Sequence, residues 1–179
     1  MSDENENDHE VDFAALLDSL SETPNRLARL TDGLLIVELC FKNSENEFSV
    51  IENFCHLRDL ELQGYARRIN RIVDENDPLL PDFDGARVAA EGNYNSQPAD
   101  IALQVFHRTR KENVERLRGL NVKQLRRAGT LEGVGKITLK RLAEMMHEHD
   151  EGHLEDLRAL RQRLEKYRSG SFQTTTVSE

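Results

Sequence analysis

Little in this chain favours a sheet, a secreted scaffold or a nucleic-acid surface. Cysteine is scarce: two in 179 residues, Cys40 and Cys55. They make no CxxC metal or redox motif. Both sit among apolar neighbours and could meet across a helix pair. The reading adopted is buried free thiols in a cytoplasmic protein. Ten glycines and four prolines are few, and β-branched runs are short, so long helices are favoured over strands. The longest largely apolar stretch, residues 33–41 with Glu38 inside it, is far too short to cross a bilayer. The first residues lack a basic-then-apolar pattern and are not expected to act as a secretory signal. Positive charge is in deficit, with 24 Lys and Arg against 33 Asp and Glu, a net charge of -9 and a pI of about 5.2. Phosphate binding needs clustered cations, so no nucleic-acid partner is expected. The length suits one domain with a full core, and 37% hydrophobic with 32% charged residues fits amphipathic helices.

Residues 1–10 are acidic and nearly free of apolar side chains, and read as a disordered tail. A bundle domain is expected over 11–168 and a polar tail over 169–179. Asp12 caps a short helix over 13–20, and Thr23-Pro24 reads as a second start, opening a helix from Asn25 to about Phe41. Ser49-Val50-Ile51-Glu52 is a capping box that opens another helix to about Asp74. A long connection over 75–97 leads to a third helix, from Ser96-Gln97-Pro98 to about Leu117. A second connection over 118–136 carries Arg126 and Arg127, read as a solvated basic spot. The fourth helix spans about 138–167. No strand is required, and the fold class predicted is an all-α four-helix bundle with a short extra N-terminal helix and long crossover loops.

The fourth helix carries the most informative pattern. Leu139, Leu142, Met146, Leu157, Leu160 and Leu164 form one stripe, and His149 and His153 fill its gap. Four residues apart, both imidazoles project from one face and can grip one metal ion. The plainer alternative is a pair of packed, hydrogen-bonded core histidines. His147 falls on the other side and is expected to be solvated. A third ligand must come from elsewhere. His9 lies in the tail, and His107 stands among Arg108, Arg110 and Lys111, where exposure is expected. His56 lies about 140° round from Ile51, on the edge of its helix beside Leu60, so periodicity leaves it only a weak candidate.

The stretch Phe48-Ser49-Val50-Ile51-Glu52-Asn53-Phe54-Cys55-His56-Leu57-Arg58-Asp59-Leu60-Glu61 resembles the DinB/YfiT-like family pattern, an aromatic-Ser start leading to His-Leu and an acidic residue. Asp77-Pro78-Leu79-Leu80-Pro81 resembles its crossover loop, and Gly135-Lys136-Ile137-Thr138-Leu139 the lead into its last helix. His149-Asp150-Glu151-Gly152-His153-Leu154 resembles its HxxxH signature. The ordered set covers about 23–167. The resemblance implies a bundle of up-down-down-up topology and a homodimer. It also implies a divalent metal, nickel or zinc, held by His56, His149 and His153. Some relatives are S-transferases that use a low-molecular-weight thiol such as bacillithiol, mycothiol or glutathione; others are described as hydrolases. Two departures are visible: Phe48 stands where tryptophan is usual, and Glu155-Asp156-Leu157 follows His153-Leu154 where Gln-Ile is common. The second bears on the thiol cofactor rather than on the fold.

On this reading a three-histidine site leaves positions open for a water or a thiol acting on a small-molecule substrate. Glu61, Asp59 or Asp156 is expected to orient a ligand or accept a proton, according to which turns toward the ion. The alternative is a non-catalytic helical binding or stress-response protein whose metal site is structural or vestigial.

Overall fold

The computed structural model describes residues 2–171, with side chains described for 12–170. Helix α1 is Ser2–Thr31, and the short α2 is Ile36–Leu39. A third rod joins α3, Val50–Asp59, through a π-helical stretch, Leu60–Tyr65, to α4, Ala66–Asp74. Strand β1, Leu79–Leu80, and helix α5, Gly85–Gly92, lie in the first long connection. Then come α6, Ala99–Arg118, the short α7, Val122–Leu125, strands β2, Ala128–Leu131, and β3, Gly135–Thr138, and α8, Leu139–Ser171. The four long rods, α1, α3–α4, α6 and α8, make the helical bundle that the pattern predicts.

Two local expectations give way. No break occurs at Thr23-Pro24, which lies inside α1. Pro24 has no N–H, so the Leu20 carbonyl four residues earlier loses its helical donor. Arg110 of α6 replaces it, with Nη1 donating to Leu20 O at 3.2 Å. The helix instead stops before Gly33, whose φ of +70° is the left-handed geometry that ends helices and that glycine adopts without strain. Residues 34–41 therefore do not continue it. The acidic stretch expected as a tail continues α1 in its backbone from Ser2; its side chains, with Met1 and His9, lie outside the described residues, as do 172–179. The capping box forms as read: Ser49 Oγ accepts from Glu52 N at 3.1 Å, and the Glu52 carboxylate accepts from Ser49 N at 2.8 Å.

A small sheet is present where no strand was expected. The two long connections meet in it, β1 pairing parallel with β2 through Leu79↔Thr130, and β2 antiparallel with β3 through Gly129↔Ile137. Strands of two and four residues carry too few side chains to show a period. Arg127 is not solvated as the basic-spot reading had it. Its Nε donates to Ile72 O at 2.8 Å, and it also reaches Glu75 O, so it caps the C-terminal carbonyls of α4.

The core divides in two. One cluster, beside the sheet, includes Leu20, Ile69, Ile72, Leu80, Val114, Leu142 and Met146. The other includes Leu27, Phe54, Leu57, Phe106, Leu154 and Leu157. Each rod steps from one cluster to the other at one level, and there the buried residues are polar: Thr23 on α1, Glu61 on the π-helical stretch, Arg110 and Asn113 on α6, Asp150 on α8. This polar layer positions the candidate site.

Candidate metal centre

Three histidines meet at the polar layer. His56 comes from α3, and His149 and His153 from successive turns of α8. The Nε2 of His149 lies 3.2 Å from the Nε2 of His56 and 3.2 Å from the Nε2 of His153. Each is half-buried, and their ligand atoms all lie within 4.8 Å of one another. Aromatic rings wall the group: Phe48 and Phe83 stand 5.5 and 6.2 Å from the His56 ring, and Tyr65 stands 6.4 Å from His149. Gly85 passes so close that a Cβ there would come within 2.7 Å of His56 Cε1, which is why α5 can lie over this ring only with glycine at its first position.

Hydrogen bonding sets the tautomer of one ring. Asn53 Nδ2 donates to Ser49 O at 2.8 Å, which turns Oδ1 toward His153. That oxygen, 2.6 Å from His153 Nδ1, can only accept, so Nδ1 carries the proton and Nε2 presents a lone pair. The Nδ1 atoms of His56 and His149 are buried without a hydrogen-bond partner among the described residues. Burial, followed by the neighbouring imidazole, pushes all three pKa values down to about 4, against the pull of Asp59 on His56 and of Asp150 on His149 and His153. At neutral pH the rings are therefore uncharged, the state a metal ligand needs. One proton on His149 Nε2 could bond only one of its two neighbours, leaving the other lone pair facing the N–H from the wrong side. A cation among the three nitrogens satisfies all of them at once. Tetrahedral ligation at 2.0–2.1 Å places imidazole nitrogens about 3.3 Å apart, close to the 3.2 Å from His149 to each of the other two rings.

The expected carboxylates are placed elsewhere. Glu61 is fully buried, and its oxygens accept from Arg110 Nη2 and Asn113 Nδ2, each at 2.7 Å. Asp59 is buried, held by Arg58 Nε at 2.7 Å and the Tyr94 hydroxyl at 2.6 Å. Asp156 is exposed on α8. None of the three makes a hydrogen bond to a histidine among the described residues. His107 is exposed as expected. His147 is not solvated but half-buried, its Nδ1 3.5 Å from Ser19 Oγ on α1. Both cysteines are free thiols; Cys55 is buried and Cys40 half-buried.

Sequence reasoning missed Arg110, Asp150 and Asn53. Arg110 pairs with Glu61 and with both oxygens of Asp150, and its guanidinium stacks 4.8 Å over the Phe106 ring. Burial works to lower its pKa, but the two carboxylates outweigh it and hold the group well above its ordinary range. A signal existed. Phe106, Arg110, Val114 and Leu117 share one stripe of α6, and Asp150 follows Met146 by four on α8. Asn53 acts through the His153 ring that it orients. Its replacement by alanine is expected to weaken divalent-metal affinity about 10- to 100-fold while leaving the helical content intact. Metal titration beside a far-UV circular dichroism spectrum checks it; unchanged affinity refutes the orienting role.

The family model of the DinB superfamily matches residues 19–157, and the chain belongs to that superfamily. Among solved structures, YfiT from Bacillus subtilis, described as a probable metal-dependent hydrolase with an unusual four-helix bundle topology, superposes with a TM-score of 0.79. That match covers 85% of this chain and 87% of YfiT at 18% sequence identity, so it speaks for the fold. No curated protein matches the chain. Among the described residues, no helix is long and apolar enough to cross a membrane.

Proposed function

We propose that this protein is a divalent-metal-dependent enzyme. In this reading His56, His149 and His153 hold the ion through Nε2, and a small-molecule substrate is hydrolysed or joined to a low-molecular-weight thiol. The observation that carries this is the meeting of three Nε2 atoms, two pairs of them 3.2 Å apart, on rings that burial keeps neutral. An all-imidazole set suits zinc or nickel. A second feature supports a dication. Glu61 and Asp150 together outnumber the single charge of Arg110 by one, and Asp150 adjoins His149 in sequence.

When bound, the ion supplies an open coordination position that makes a water or thiol a nucleophile near neutral pH. The chain's own residues prepare the place. Asn53 fixes His153; Phe48, Phe83 and Tyr65 exclude water from the rings; Asp59, locked by Arg58 and Tyr94, contributes charge near His56 rather than a proton. Phe83 also lines a cavity of about 380 Å³ with Arg67 and Arg68, through which a small substrate could approach. The probable hydrolase description of YfiT supports the hydrolytic branch.

Elemental analysis of protein purified without an affinity tag is expected to find one divalent ion per chain. His149→Ala is expected to lose it while the helical spectrum persists. A wild-type protein that takes up neither zinc nor nickel, or a variant that keeps its ion, removes the proposal. Turnover of ester and electrophile panels, with and without added thiol, then separates hydrolysis from S-transfer. We further propose a homodimer, supported by Leu35, Ile36 and Val37, which are 62%, 77% and 73% exposed in a row at α2. Sedimentation of wild type beside Ile36→Lys is expected to show a dimer and a monomer; a monomeric wild type refutes it.

A further inference from the structure

A cavity of about 910 Å³ lies away from His56, His149 and His153. It opens between α1, α6, α7 and the start of α8. Its floor is apolar: Phe13, Leu17 and Leu117 belong to the core beside the sheet, and Leu120 and Leu125 pack against it. Its charged lining residues are all cationic. Lys123 is exposed and Lys140 half-buried, and neither has an ion-pair partner among the described residues. Arg118, paired with Asp18, and Arg126 add to the same rim. No described lining residue is a carboxylate, in a chain whose net charge is -9. A basic rim around an apolar floor is thus a local arrangement that works against the composition.

We propose that this cavity binds a monomeric single-chain amphiphile with a carboxylate head, a fatty-acid-like anion, its tail against Leu17, Leu117 and Leu125 and its head between Lys123 and Lys140. The volume lies within the range of small-molecule pockets, about 300–1,000 Å³. Burial of the tail supplies the affinity, and the lysines fix the polarity of insertion. A free inorganic anion would leave the floor wet, and an uncharged chain would leave the two ammonium groups uncompensated. His56, His149 and His153 do not line this cavity, so the site is independent of the metal reading.

Isothermal titration with decanoate, below its micellar concentration, is the test, with acetate, inorganic phosphate and 1-octanol run alongside. Decanoate is expected to bind one per chain, acetate and phosphate not measurably, and octanol about tenfold more weakly. Lys123→Gln combined with Lys140→Gln should lower decanoate affinity about tenfold with an unchanged thermal melt, since neither side chain is buried. His149→Ala should leave it unchanged. Octanol binding as tightly as decanoate, phosphate binding as tightly as decanoate, or a double variant with wild-type affinity each overturns the proposal. So does a dimer that decanoate does not enter and that Leu125→Asp separates, because the face then serves a second copy of the chain.

Discussion

Replacement of Arg110 by leucine is expected to destabilise the protein by about 3–5 kcal/mol. Arg110 is 1% exposed, and both its acidic partners are fully buried. Removing the guanidinium leaves two carboxylates in the interior with Asn113 as the remaining side-chain donor to Glu61. It also strips the donor from the Leu20 carbonyl that Pro24 leaves open. An exposed pair serves as the contrast: Arg141 and Glu148 meet at 2.7 Å on the outer face of α8, and Arg141→Ala should cost no more than about 1 kcal/mol. Urea denaturation of the two variants decides the matter. Equal losses would show that the buried cluster is no more than a surface pair placed indoors. Because a buried ion network is a poor source of net stability, a triple change of Arg110, Glu61 and Asp150 to apolar residues should recover much of the loss.

The second large effect is acid lability of the metal-free protein. The three histidines have folded-state pKa values pushed to about 4, below the ordinary 6.5. Below about 6.5 the unfolded chain takes up protons that the folded histidines still refuse, so their contribution to stability is lost as pH drops from about 6.5 to about 4. The total is on the order of several kcal/mol. Denaturation of chelator-treated protein at pH 7.5, 6, 5 and 4 should trace that fall, and His149→Ala should make it shallower. Bound zinc or nickel should shift the fall to lower pH, because protons must then displace the ion. A metal-free protein equally stable at pH 7.5 and 4.5 contradicts the buried, neutral imidazoles.

Both predictions concern the same layer, and the sequence disclosed it unevenly. The spacing of His149 and His153 within an apolar stripe was readable because both lie on one helix, where a 3.6-residue period fixes relative direction. His56 was not readable in that way. It stands on the edge of α3, and the site it enters is closed by Phe48, Phe83 and Gly85, parts of the chain no helical period relates to it. The ordered family motifs, not periodicity, placed it with the other two. Glu61 was expected beside the ion, yet the π-helical stretch carries it into the bundle and Arg110 takes its charge. Thr23-Pro24 misled for a related reason. A local start signal was overruled by a donor from another helix.

The sequence by itself determined the helical class, the Ser49-Glu52 cap and the two-histidine face of the last helix. Each rests on contacts within a few residues, and short-range geometry is the same wherever the helix is later packed. Only the tertiary structure decided which polar side chains face one another. It joined Leu20, Glu61, Arg110 and Asp150, and it brought the ring of His56 to those of His149 and His153. It also paired two distant connections into a sheet of very short strands. Those outcomes depend on the desolvation of charges and lone pairs drawn from different helices, and that cost exists only once the helices have met.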